Sequence, residues 1–309
     1  MTPAASGIAQ RQNTPHMLAC LGEQRALYAR AKRLFGIFWL LSVPVSAGMA
    51  VASLLSPTVK PYTVIIGFLI PLFDMLWLTP RQKKLKETAA KIQEKFDTEV
   101  LALPWNSHKV GPMPSAEILI SGDISTPAPS LRDWYGVDAE VLPIEMGRII
   151  CQQQNITWDS TQRRRFIGFI EVVLGVVFLA VIATALWWNS SFVDTLATLL
   201  PPVSPIFYFC IKHRQEHIEA ADRLDKLKDT AQKLWGDVLA GRESADEIGR
   251  RSRHLQDEIY DSRRRSVAVL DSVYHWFRSQ QQQRLDAIVK QQVAEAHEHL
   301  ARQQQPTAT

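Results

Sequence analysis

The stretch RRRFIGFIEVVLGVVFLAVIATALWW, residues 163–188, decides the fold. From Phe166 to Trp188 every side chain is apolar, small or aromatic except Glu171. A membrane helix needs ~20 mainly apolar residues to cross a ~30 Å hydrocarbon layer, and this stretch reads as one. Three more candidates stand beside it. Leu34 to Leu55 carries no charge, Tyr62 to Leu78 carries only Asp74, and Phe192 to Ile211 is interrupted by Asp194, Pro201, Pro202 and Pro205. The links inside each pair are short, so the four spans are expected to form two tight helical hairpins.

Basic residues near span ends set orientation. Arg25, Arg30, Lys32 and Arg33 precede the first span, and Arg81, Lys83, Lys84 and Lys86 follow the second. Arg163, Arg164 and Arg165 precede the third, Lys212 and Arg214 follow the fourth, and Lys60 is the one basic residue on the other side. Both termini and the middle segment are therefore expected in the cytoplasm. Trp187 and Trp188 fit an aromatic belt at the outer interface.

The net charge of +4 over 309 residues is too small to argue for a nucleic acid polymer. Cys20, Cys151 and Cys210 show no CxxC spacing, which suits a reducing compartment rather than a disulfide framework. No signal-peptide pattern is visible in the polar first thirty residues.

Glu171 lies roughly 8 Å past Phe166, and Asp74 roughly 10 Å from the boundary at Arg81. An acid at that depth should face protein, water or a cation. Copies of both could line a water-filled vestibule that favours cations. Locally, Glu171 could instead pair with Arg164, and Asp74 could reach toward Arg81. Pro44, Pro71 and the three prolines of the fourth span are expected to bend their helices.

The expected organisation is mainly α. Residues 1–33 form an N-terminal segment, 34–79 the first hairpin and 80–165 a small α+β insert. Residues 166–211 form the second hairpin, 212–278 a helical region and 279–309 a Gln-rich tail. In the insert, VLALPW and AEILISGDI read as strand-like, and Trp134 and Tyr135 are available to pack in the loop that follows. From Arg214 onward, Ile218, Ala221, Leu224, Leu227, Ala231, Leu234 and Val238 make an apolar helical stripe. The run VAVLDSVYHWF, residues 267–277, is amphipathic and could lie in the membrane interface.

Signals for catalysis are weak. His213 and His217 sit four apart in HRQEH, but this is not HExxH, and a solvated helix beside the membrane is the better reading. P-loop, GxGxxG, GxSxG and CxxC motifs are missing. The expectation is no enzyme, no cofactor and no metal. Arg163–Arg165 and Arg263–Arg265 could grip the phosphates of an anionic ligand, since guanidinium forks bind phosphate bidentately.

Several stretches carry a resemblance: IAQRQNTP, LYARAKRLFGIFWLLSVPV, ICQQQNITWDSTQRRRF, EAADRLDKLKDTAQKLW and LQDEIYDSRRRS. Together, from about residue 8 to residue 278, they resemble the bacterial four-transmembrane family of pore-forming effectors. That family accompanies nucleotidyltransferase signalling, including cyclic-oligonucleotide antiphage systems. Its pattern around the third span has two tryptophans before the aspartate, whereas here Thr157 takes the first place and Trp158 and Asp159 match.

The resemblance implies a bacterial inner (plasma) membrane protein that acts on the lipid bilayer as a homo-oligomer. A nucleotide second messenger, such as a cyclic oligonucleotide from a partner nucleotidyltransferase, or a partner protein would gate it from the cytoplasm. Positions in the matching motifs that could organise the ligand pocket or the surrounding polar network are Arg11, Gln12, Asn13, Gln152, Asn155, Asp159, Asp257, Glu258 and Asp261. Arg263 and Arg264 join them as phosphate-gripping candidates. A non-conducting membrane scaffold that recruits a cytoplasmic partner is the alternative, separated from a pore by leakage from liposomes.

Overall fold

The computed structural model describes residues 6–114, 131–136, 141–189, 191–267 and 287–302. A short α1 (Ile8–Gln12) leads in. Four long helices follow: α2 (Pro15–Leu55), α3 (Pro57–Val100), α5 (Ile144–Trp187) and α6 (Phe192–Leu239), each long and apolar enough to cross a membrane. The one-turn α4 (Ser107–Val110), α7 (Ala245–Arg265) and α8 (287–302) complete the set.

With 44 residues, α5 is about 66 Å long, twice the hydrocarbon thickness. Each long helix therefore runs out of the apolar layer into a polar domain at the basic end, and the boundaries expected at 79/80, 165/166 and 211/212 fall inside continuous helices. Along α5, Val172, Phe178, Leu179 and Leu186 are all more than half exposed. Such a belt of large apolar side chains would be unfavourable in water and fits contact with lipid.

The spans close on one another through Phe35, Phe38, Phe166, Phe209 and Leu78, buried near the basic end of the bundle, and through Ile70 about two turns deeper. The fourth helix is the hub, packing on α2, α3 and α5. Its prolines do not break it. Pro205 has no N–H, so the carbonyl of Pro201 four residues back loses its donor. The Ser204 hydroxyl supplies one at 2.9 Å. Pro202 likewise frees the Thr198 carbonyl, which accepts from Ser53 of the first hairpin at 3.2 Å. In α2, Pro44 sits in a π turn at Leu41–Val45, and in α3 a second π turn, Asp74–Leu78, follows Pro71. Hydroxyl groups and widened turns of this kind let proline persist in membrane helices.

The small α+β insert is corrected: no strand occurs among the described residues of 80–165. Ile92, Phe96 and Val100 are fully buried at a spacing of four, so VLALPW starts as the last turn of α3 and not as a strand. That helix stops at Ala102, whose φ of 50° lets Leu103 N–H donate to the Thr98 carbonyl at 2.8 Å. The AEILISGDI run and the interfacial 268–277 segment lie outside the described residues. The apolar stripe of α6 buries Ala221, Leu224, Ala231, Leu234 and Val238 against α5, α7 and α8. Within the Gln-rich tail, 287–302 is helical and docks Val289 and Ala296 into that core.

Candidate functional site

The polar domain is organised around Asp97, which is fully buried on α3. A buried carboxylate is costly unless charge and hydrogen bonds answer it. Here the Tyr135 hydroxyl donates to Oδ1 at 2.6 Å, while the Gln256 amide, at 3.0 Å, and the Arg263 guanidinium of α7 share Oδ2. Asn155 of α5 donates to the Tyr135 hydroxyl at 2.8 Å. Burial, with the Asp97 carboxylate beside it, holds the Tyr135 phenol well above its ordinary value. Tyr135 is thus a neutral donor across the working pH range. On the same α3 face, Glu94 receives Arg253 at 2.6 Å and Gln256 at 2.9 Å.

Next to this network lies a cavity of about 270 Å³, near the lower end of ligand-sized pockets. All four long helices contribute to it: Tyr28 and Lys32 from α2, Lys86 from α3, Trp158, Asp159 and Arg163 from α5, and Leu224 from α6. Arg263 of α7 and Trp134 of the loop complete the wall. The charge balance is four cations to one acid, Asp159. Arg163 is 1% exposed and reaches Asp159, His217 and Ser266. Its Nε, together with Arg263 Nη2 and Ser262 Oγ, is buried without a hydrogen-bond partner among the described residues. Three aromatic faces and a set of under-used guanidinium donors suit an anionic ligand carrying a flat ring: phosphate oxygens for the forks, a π face for stacking.

The structure distributes the expected site residues unevenly. Asn155, Asp159 and Arg263 line the cavity. Gln12 is buried and clips the backbone of Tyr135 through two bonds, at 2.8 and 3.1 Å. Arg11 anchors α1 to the Val100 carbonyl at 2.9 Å, Asn13 holds Asp133, and Gln152 bridges Ser252 and Gln256. Asp257 pairs with Arg253 and Asn106, Glu258 with Lys109, and Asp261 with Arg264 and Arg265, all away from the cavity. Tyr28, Lys86, Asp97 and Arg163 were not singled out as individual site residues by sequence reasoning. Of these only Arg163 carried a signal, as part of its arginine triplet.

The two membrane acids find partners other than the local ones considered. Asp74, 1% exposed, faces Lys212 at 2.5 Å and accepts from Thr79 at 3.1 Å. Glu171 is half-exposed and pairs with Arg214 at 2.8 Å. Both cations sit two residues apart on α6, so acids from two different spans grip the same turn of that helix. The histidines of HRQEH are buried rather than solvated: His213 lies edge-on to Phe35 and Phe209, and His217 lies against Phe166. Helical spacing places both on the face of α6 that points into the bundle.

Four long apolar helices that continue into a polar domain with a ligand-sized cavity define a multi-pass membrane protein. More particularly, the chain belongs to the family described as the SMODS-associating 4TM effector domain, whose model matches residues 6–292. It is similar to a protein of Bacillus cereus (strain VD146) named "Probable CBASS effector molecule", 24% identical over 287 residues that cover 88% of this chain and 92% of the relative. No solved structure matches the chain.

Proposed function

We propose that this protein is a membrane-disrupting effector of a bacterial antiphage system, gated from the cytoplasm by a cyclic oligonucleotide. The family name supports association with a nucleotidyltransferase, and the relative's name supports a CBASS role. The observation that carries the gating is the cavity itself: Tyr28, Lys86, Arg163 and Leu224 bring to one ligand the four helices that go on to cross the lipid. Arg163 stands only three residues before the span that starts at Phe166. A phosphate drawing on Arg163 and Arg263 would compete with Asp159 and Asp97 for them and shift α5 against α7.

In this reading the basic end faces the cytoplasm, the membrane is the bacterial inner membrane, and the protein performs no catalysis. The packed phenylalanines fill the centre of a single bundle, so conduction requires several copies. Glu171, on the bundle exterior, is the acid placed to face a path between copies, while Asp74 holds α6 from within.

The test is the full chain in liposomes, challenged with a panel of cyclic di- and trinucleotides. One of them is expected to bind and to release trapped ions. Loss of a stacking face is worth about 1–3 kcal/mol, so Trp158→Ala should weaken binding roughly tenfold, and Lys32→Glu comparably, with the apo melting of each variant measured alongside. Binding without leakage would favour a scaffold. Leakage and affinity unchanged in both variants would remove the cavity from the mechanism. In the leaking protein, Glu171→Gln is expected to lower the ratio of cation to anion permeability. A ratio equal to that of the unaltered chain would take Glu171 off the path.

A further inference from the structure

A second cavity, of about 460 Å³, opens where the hydrocarbon layer ends. Its floor is Lys212 and Thr79, which meet at 2.8 Å beside Asp74. From there it climbs α3 to Lys86 and α6 to Arg223, under the last turn of α7. Lys86 stands about 10 Å and Arg223 about 16 Å beyond the floor. The headgroup layer is ~5–8 Å deep on each side, so the lower half of the cavity lies at the depth of lipid phosphates. The Arg81 guanidinium, 3.7 Å from the Trp77 ring centre, marks the same interface.

Its lining is cationic. Lys83, Lys86, Lys212, Arg223, Arg264 and Arg265 stand against Glu87, Glu216 and Glu219. Some of this charge is committed inside the protein: Lys212 to Asp74, Arg264 and Arg265 to Asp261, and Glu216 to His213. Lys83, Lys86 and Arg223 make no such pair among the described residues, with Glu87 and Glu219 the acids beside them. Arg223 has a buried Nε without a hydrogen-bond partner among the described residues, Lys83 is exposed, and burial holds the Lys86 ammonium below its ordinary value. An anion arriving from the membrane side would meet Lys83 first, with Lys86 and Arg223 higher in the cavity.

We propose that this cavity seats the phosphodiester headgroup of an anionic glycerophospholipid, with Lys83 as its contact at phosphate depth and Arg223, whose side chain leans back along α6 toward the membrane, as the contact from above. The site goes beyond the messenger reading and does not depend on it. Lys86 and Val267 line both cavities, so variants that test the lipid site leave them intact.

The experiment uses the purified full chain without any nucleotide, exchanged into nanodiscs of mixed phosphatidylglycerol and phosphatidylcholine, with co-purifying lipid counted by mass spectrometry. Phosphatidylglycerol is expected to be retained at least fivefold over phosphatidylcholine, and both Lys83→Glu and Arg223→Gln to cut that preference severalfold. Lys83 is exposed, so its variant keeps the test valid should Arg223→Gln fold poorly. Equal retention of the two lipids, or a preference untouched by Lys83→Glu, would overturn the proposal. Soluble glycerol phosphate displacing the lipid at equal concentration would also overturn it, by assigning the cavity to free phosphates.

Discussion

Asp97→Ala is expected to unfold the polar domain more readily than any other single change there. Removing one partner of a buried pair costs about 3–5 kcal/mol, because the surviving charge stays buried without an answer. Asp97 is 0% exposed, and its loss would strand the Arg263 guanidinium along with the Tyr135 hydroxyl and the Gln256 amide. The damage should spread beyond one contact, since Tyr135 is what Gln12 and Asn155 hold. Thermal unfolding of the detergent-solubilised chain measures it, with Glu258→Ala as the control. Glu258 meets Lys109 at 3.1 Å on the surface, where such a pair is worth about 0–1 kcal/mol. Matching midpoints for the two variants would mean that Asp97 is not the anchor described here.

Within the membrane layer the most sensitive position is Gly67. A Cβ built there would lie 2.3 Å from the Pro201 carbonyl oxygen, a backbone atom that cannot rotate away. Gly67→Ala therefore has to push the second span off the fourth. Overpacking typically costs about 1–3 kcal/mol, and Gly67→Val should exceed that range and prevent assembly of the bundle. Gly48 in α2 is the control, since a Cβ there meets nothing within 4 Å. Gly48→Ala is expected to leave yield and melting unchanged. A Gly67→Val chain that purifies and melts like Gly48→Ala would place the α3–α6 contact elsewhere.

The membrane helices were legible because a run of about twenty mainly apolar residues is a local property of the chain, readable without any partner. The wrong strand came from the same local habit: VLALPW alternates well enough, but Ile92 and Phe96 upstream make Val100 the next rung of a helix face. The candidate cavity could not be read locally at all. Arg163 and Arg263 each sit in an arginine triplet a hundred residues from the other, and only the packing of α7 on α5 and α3 makes them neighbours. Asp97 gave no signal in KIQEKFDTEV, a stretch as charged as any solvent-facing helix, because its partner is 166 residues away. The partners of Asp74 and Glu171 were missed for a related reason. The nearest cations in sequence are on their own helices or just before them, whereas Lys212 and Arg214 come from α6.

The Ser53 hydroxyl that answers the carbonyl freed by Pro202 has a mechanical consequence. Together with Lys60 on the Thr198 hydroxyl at 3.0 Å, it ties the first hairpin to α6 near the far leaflet, while Asp74 ties it near the basic one. Two fastenings at different depths resist the helices sliding like pistons. A swivel about the far-side tie would first have to release the Lys212–Asp74 pair where α6 leaves the lipid, which makes that pair the latch of any such motion.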